Sequence, residues 1–216
     1  MEDPLPAPLP LQPGPQAVAP FRTKGLVFQG ACDFYDQFSP GGARAVIASA
    51  AKSNPALPGL QRFLSQSFVP GGWYDVLPLV PMSRAAALLG GLRHPRLVRD
   101  SAAWLAHRDL HGVYKVVLQL ASVEMVAMRL PRLSMRYFDF GSSSGKMSGP
   151  KQMTSVRAGI PCSMADWFTY CTEGFVPVAL TLAGAKDVRV KCVTVPTAAR
   201  RGGQELVDVG VELSWS

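Results

Sequence analysis

The stretch from Glu205 to Trp215 constrains the fold more than any other part of the chain. Val207, Val209, Val211, Leu213 and Trp215 alternate with Asp208, Gly210, Glu212 and Ser214. That two-residue period belongs to a strand with one buried face and one wet face. A strand wetted on one side calls for antiparallel partners, because parallel sheets are covered on both faces. Just upstream, Asp187 to Val195 is a second valine-rich strand, and Pro196 to Gly203, carrying Arg200-Arg201, reads as the loop between them.

The first two thirds of the chain have a different period. Lys24 to Gln29 predicts a short strand stopped by Gly30, and Asp33 to Phe38 a short aromatic turn. Ser39 and Pro40 have the chemistry of an N-cap and first position for a helix over Gly41 to Lys52. Leu57, Leu60, Phe63, Leu64 and Phe68 share one face of a predicted helix over 57–68, and Trp73-Tyr74 lies in a connection running from Val69 to Pro81. Ser83 to Leu92 and Pro95 to Arg108 predict two more helices. Leu110 to Leu130 is apolar all round, which predicts a central buried helix. Pro131 to Phe140 predicts a further helical or extended piece. Gly141 to Gly145 reads as a flexible connection, and Gln152 to Ile160 as a strand with Gln152, Thr154, Val156, Ala158 and Ile160 on one side. Pro161 then opens a long helix from Ser163 to Ala183, closed by Gly184. The order predicts an α+β fold: a helical N-terminal half packed with a small antiparallel sheet, whose C-terminal strands form a hairpin after a long helix.

Met1 to Pro20 is rich in proline and opens on Glu2 and Asp3, so it reads as an extended disordered tail rather than a signal peptide. Residues 21–216 then form one domain. No apolar run reaches the roughly 20 residues that span a bilayer. Cys32, Cys162, Cys171 and Cys192 have no C-x-x-C spacing and read as reduced, mostly buried thiols of a cytoplasmic protein. The net charge is +7, and Arg129 to Arg201 alone holds 11 basic against 4 acidic residues.

The layout, and F-T-Y-C-T-E-G-F-V-P-V-A-L-T-L-A-G-A-K-D-V-R-V-K-C within it, resemble the fold of haem–nitric-oxide-binding domains and vinyl-reductase-type sensor domains, which transport-particle subunits share. More closely, K-G-L-V-F-Q-G (Lys24 to Gly30), the stretch from Arg99 through Leu130, and G-F-V-P-V-A-L-T-L-A-G resemble a paralogous family expanded in myxobacteria. The resemblance implies a binding or sensing role on that fold. The haem-binding domains use a proximal histidine and a Tyr-x-Ser-x-Arg motif for the propionates. That motif does not occur here, so the resemblance transfers no haem-binding residue.

The remaining constellations give no catalytic set. His107 and His111, at helical spacing, are the candidates for a metal, but Arg108 replaces the glutamate of the zinc-protease motif. Gly141 to Met147 has three residues between its glycines and no hydroxyl after Lys146, so it is a turn and not a phosphate loop. Cys162 at a helix start reads as a buried cap-region thiol, or as one with a lowered pKa. Asp33 and Asp36, near Tyr35, read as an acid–base pair or equally as an exposed helical turn. The aromatic and methionine set suits either an apolar pocket or an ordinary core. As a pocket it comprises Trp104, Tyr114, Met125, Trp167, Phe168 and Phe175.

The expected function is a non-catalytic small-molecule sensor or adaptor, acting as a homodimer, with its ligand between the central helices and the sheet. No cofactor is expected, haem being the candidate the resemblance brings. The alternative is a solid-cored interaction module that meets an acidic partner through Arg157, Arg189, Lys191, Arg200 and Arg201, or through exposed Trp73-Tyr74. No nucleic acid is expected, since no stacking series accompanies the charge.

Overall fold

The computed structural model describes residue 11, residue 14 and residues 19–110 and 121–216. Most of the tail, with His111, Tyr114 and the first half of the expected central helix, therefore lies outside the described residues. The order is β1 (Arg22–Lys24), α1 (Gly25–Phe38), α2 (Gly42–Ser53), α3 (Leu60–Leu64), β2 (Trp73–Asp75), α4 (Leu79–Leu89), α5 (His94–Leu110), α6 (Val123–Tyr137), β3 (Ser142–Gly149), β4 (Gln152–Pro161), α7 (Ala165–Leu182), β5 (Arg189–Arg201) and β6 (Gln204–Ser214). β1 and β2 form a small antiparallel ribbon, and the main sheet runs β3-β4-β6-β5, antiparallel throughout. The α+β architecture with a hairpin after a long helix is as expected.

β6 behaves as its alternation dictates. Val207, Val209, Val211, Leu213 and Trp215 are all buried, and β6 sits centrally between β4 and β5. The hairpin closes at Gly202-Gly203, whose φ of 55° and 76° suit the two-residue turn that matches strand twist. Arg200 and Arg201 are paired strand residues opposite Glu205 and Gln204 rather than loop residues.

Several elements depart from expectation, each for a local reason. The run Lys24 to Gln29 is helical from Gly25 onward. Phe28, Ala31, Phe34 and Tyr35 are buried at helical spacing, and tertiary burial overrides the strand propensity of Val27 and Phe28. Only Arg22 to Lys24 remains extended. Ser39 closes α1 by donating its N–H to the Tyr35 carbonyl, and Gly41, at φ 73°, is the cap of α2. Asp36 takes the role expected of Ser39: its Oδ1 accepts the Ala43 N–H at 2.7 Å. The helix over 57–68 shrinks to Leu60–Leu64, although Phe63, Phe68 and Tyr74 still pack around Phe28. The Val69 to Pro81 connection contains β2 and the start of α4.

The central helix also differs. Ser122 starts a new helix there, its Oγ accepting the Met125 N–H at 3.2 Å. α6 turns Val126 and Ala127 inward and Met125 and Met128 outward, so it is amphipathic in place of apolar all round. Gly141 to Gly145 is largely strand: β3 pairs with β4 from Ser142 onward, and Gly145 lies where a Cβ would meet the Met153 Cε at 2.4 Å. In β4 the inward set is Met153, Arg157 and Ile160. An extra residue between Arg157 and Ile160 shifts the register against β6, and Gly159 at φ 72° supplies the bulge.

Candidate functional site

The phase of β4 carries Arg157 into the interior. It is only 3% exposed, so it is no part of the outer basic surface expected for it. Its Nη2 donates to the Phe140 carbonyl at 2.5 Å and its Nη1 to the Met135 sulfur, while Nε has no partner. The guanidinium lies 5.7 Å from the Phe140 ring centroid and 5.8 Å from that of Phe168. Phe138 links these rings to Trp167, at centroid separations of 5.7, 5.8 and 6.5 Å from Phe140, Phe168 and Trp167. Burial pulls the Arg157 pKa down to about 10, so it is charged at neutral pH. None of the salt bridges among the described residues involves it.

A buried cation normally carries a counter-charge, and a buried N–H normally finds an acceptor. Arg157 has aromatic neighbours, one carbonyl acceptor and one sulfur, but its Nε–H has no acceptor and, among the described residues, its charge has no counter-charge, so both stay open to an anion. Arg157 falls in Met153-Thr154-Ser155-Val156-Arg157, a serine and an arginine at the spacing of the Tyr-x-Ser-x-Arg pattern with methionine in place of its tyrosine.

The expected pocket residues are not brought together among the described residues. Phe168 lies beside the Arg157 guanidinium, and Trp167 is joined to it through Phe138. Trp104, on α5, packs against Phe34, Phe38 and Arg108. Phe175 is half-buried on α7, Met125 is 46% exposed on α6, and Tyr114 lies outside the described residues. Two surface grooves of about 580 and 190 Å³, by Ala51–Arg62 and by Ser144–Val156, touch none of these positions. Of the basic surface residues, Arg189, Lys191, Arg200 and Arg201 are exposed on β5, with Lys191 near Glu212 at 3.6 Å and Arg201 over Phe21. Trp73-Tyr74 does not form an exposed pair. Tyr74 is buried, and Trp73 lies beneath Lys24, whose Nζ is 3.9 Å from the ring.

The titratable groups are otherwise engaged. Asp33 pairs with Arg108 at 2.7 Å and Asp36 caps α2. His94, half-buried, places its Nε2 2.8 Å from Ser83 Oγ. Ser83 gives its own proton to the Val80 carbonyl, so the imidazole donates in that contact. Burial, then Arg84, lower the His94 pKa. His107 is on the exposed side of α5. All four cysteines are free thiols. Burial pushes Cys32 up to about 11, Cys192 up to about 12 and Cys171 further up. Cys162 is exposed, a correction to its expected burial, in the 3-10 turn before α7. Among the described residues no group of three His, Cys, Asp or Glu is placed to hold a metal.

No protein-family model matches the chain, and no curated protein matches it. Solved structures do. A Cs H-NOX variant carrying an unnatural amino acid aligns with a TM-score of 0.63 at 10% identity, covering 89% of this chain and 96% of its own. A T. tengcongensis H-NOX mutant aligns at 0.60 and 9% identity, covering 89% and 97%. An S. oneidensis H-NOX in its Fe(II)NO state aligns at 0.56 and 13% identity, covering 88% and 99%. At these identities the likeness is one of fold, and the fold of this chain resembles that of haem–nitric-oxide-binding domains over nearly its whole length. Two further matching structures concern haem distortion in the H-NOX family and porphyrin distortion that modulates the haem redox potential. Among the described residues the donors do not fit a haem iron. His94 is held by Ser83, His107 faces outward, and the buried thiols are kept protonated.

Proposed function

We propose that the chain is a small-molecule sensor domain whose ligand is apolar, carries an acid group, and places that group on Arg157. The observation that carries this reading is a buried arginine with an unpartnered Nε and, among the described residues, no carboxylate paired with it; its guanidinium lies against Phe140 and Phe168, which Phe138 links to Trp167. A serine and an arginine at the spacing of the propionate motif, Ser155 and Arg157, support it. So does the H-NOX fold, because one of those neighbours is in an Fe(II)NO ligation state. The ligand biases the packing of α6 and α7 against the sheet, and a partner reads that bias. The four free thiols support a cytoplasmic setting. No residue set among the described ones supports bond-breaking chemistry, and the proposed role is binding.

The test is calorimetric titration of the purified protein with apolar acids, long-chain fatty acids and metal-free porphyrin diacids among them, each beside its methyl ester. The acid binds about tenfold or more tightly than its ester, the usual weight of a charge-assisted hydrogen bond. Arg157→Met removes that preference while its melting temperature stays at or above that of the parent, because an uncompensated buried charge is lost. Equal binding of acid and ester overturns the reading. So does a loss of about 3 kcal/mol in Arg157→Met, the cost of breaking a satisfied buried pair, because Arg157 would then be structural.

A further inference from the structure

The turn joining α4 to α5 exposes apolar side chains that its neighbours do not cover. Leu88 is 72% exposed, Leu89 36% and Leu92 37%. The turn that presents them is well fixed. Gly91 stands at φ 62°, the Leu92 N–H reaches the Ala87 carbonyl at 2.9 Å, and the Gly91 N–H reaches the Leu88 carbonyl at 3.2 Å. Those two bonds are the glycine-closed helix end, which needs one apolar contact from the residue after the glycine. That accounts for the half-cover of Leu92 and leaves the Leu88 side chain without a role in the cap. A Cβ placed on Gly91 would meet nothing within 4 Å, so the turn projects into open space.

Charge around this tip has one sign. From Val76 to Arg99 the chain has four arginines and no acidic residue. Arg84 lies one helical turn before Leu88, on the same face of α4. Arg93 follows Leu92, and Arg96 is one turn into α5; all three are exposed. Asp100 answers Arg96 across 3.5 Å of open surface, and Asp166 acts on His94 from the α7 side. Arg99 is turned away, to Glu173 and Tyr170.

We propose that the α4–α5 turn is a membrane-surface anchor. Leu88, Leu89 and Leu92 enter the headgroup–acyl boundary of an anionic bilayer, and Arg84, Arg93 and Arg96 meet its phosphates. A projecting apolar tip ringed by cations suits a soft interface with negative headgroups, where burial and charge attraction act together. A second copy of the chain fits less well, since a two-fold contact through the leucines sets the same arginines against each other. This anchoring does not span the membrane: among the described residues no helix is long and apolar enough to cross one.

Flotation of the full chain with vesicles tests the proposal. The protein floats with phosphatidylcholine mixed with phosphatidylglycerol and stays behind with phosphatidylcholine alone. Leu88→Ser with Leu92→Ser lowers the floated fraction about tenfold and leaves the melting curve in place. Arg84→Gln with Arg93→Gln lowers it as far, and carries the test by itself if the leucine variant does not fold. No flotation with the mixed vesicles overturns the proposal, as does flotation that neither variant reduces. A leucine-dependent dimer in light scattering, with no flotation, assigns the tip to a second copy and overturns it as well.

Discussion

Arg157 is held in place by its neighbours rather than by a counter-charge, and its position depends on one glycine. Alternation through Gln152 to Ile160 groups Val156 with Ile160 and turns Arg157 outward. The bulge at Gly159 inserts one residue and reverses the phase, so Met153 and Arg157 share the inner side with Ile160. Strand period is legible in a sequence, whereas a bulge depends on pairing partners that the strand does not itself contain. Asp75 shows the converse. Its burial pushes the carboxyl up to about 6, partly countered by the Leu77 N–H it accepts at 2.9 Å. The folded state therefore holds this proton more tightly than the unfolded chain. That contribution is complete below the ordinary carboxyl range and is lost as pH rises through about 6. Asp75→Asn keeps the acceptor and removes the charge. Urea titration then gives a variant more stable than the parent at pH 7.5, on the order of 2 kcal/mol, with the gap closing near pH 4. A gap that persists at low pH would mean that the charge is not the cause.

At the scale of elements, helix ends and sheet edges set what each segment becomes. β6 needed no partner to be recognised, because five inward apolar residues in strict alternation leave one solution. Lys24 to Gln29 has the composition of a strand, yet Gly25 fits beneath the Val69 carbonyl, 2.1 Å from where a Cβ would be, and the chain turns into α1 there. The serines and glycines of 141–145 suggest a loop, but β4 supplies the hydrogen bonds that make them an edge strand. In each case the deciding contact comes from elsewhere in the chain. The bulge is the element that connects sheet to site. Gly159→Ala forces a side chain into φ 72° and against Gly141, where a Cβ would approach the Cα to 3.2 Å. Its cost is about 1–2 kcal/mol for the left-handed backbone, read by urea unfolding. Acid-over-ester selectivity falls with it as Arg157 loses its aim. An unstrained Gly159→Ala with full selectivity would separate the bulge from the site.

For the molecule as a whole, the sequence order already implied helices first and a hairpin-ended sheet last, and the likeness to H-NOX structures covers both halves. The candidate site was less legible. Trp167 and Phe168 were recognisable as part of an apolar wall, while the charge at its centre was assigned to the surface. The tip at Leu88 gave no sequence signal, because a leucine near a helix end ordinarily packs inward. The central claim is that Arg157 receives the acid group of an apolar ligand, and the Nε–H of that side chain reports on it directly. In the free protein its NMR resonance belongs to a buried donor without an acceptor. Addition of the acid that binds most tightly by calorimetry moves this resonance downfield and protects it from exchange with water, while the matching ester leaves it unchanged. A resonance that stays in place while the acid binds would put the ligand elsewhere and contradict the account.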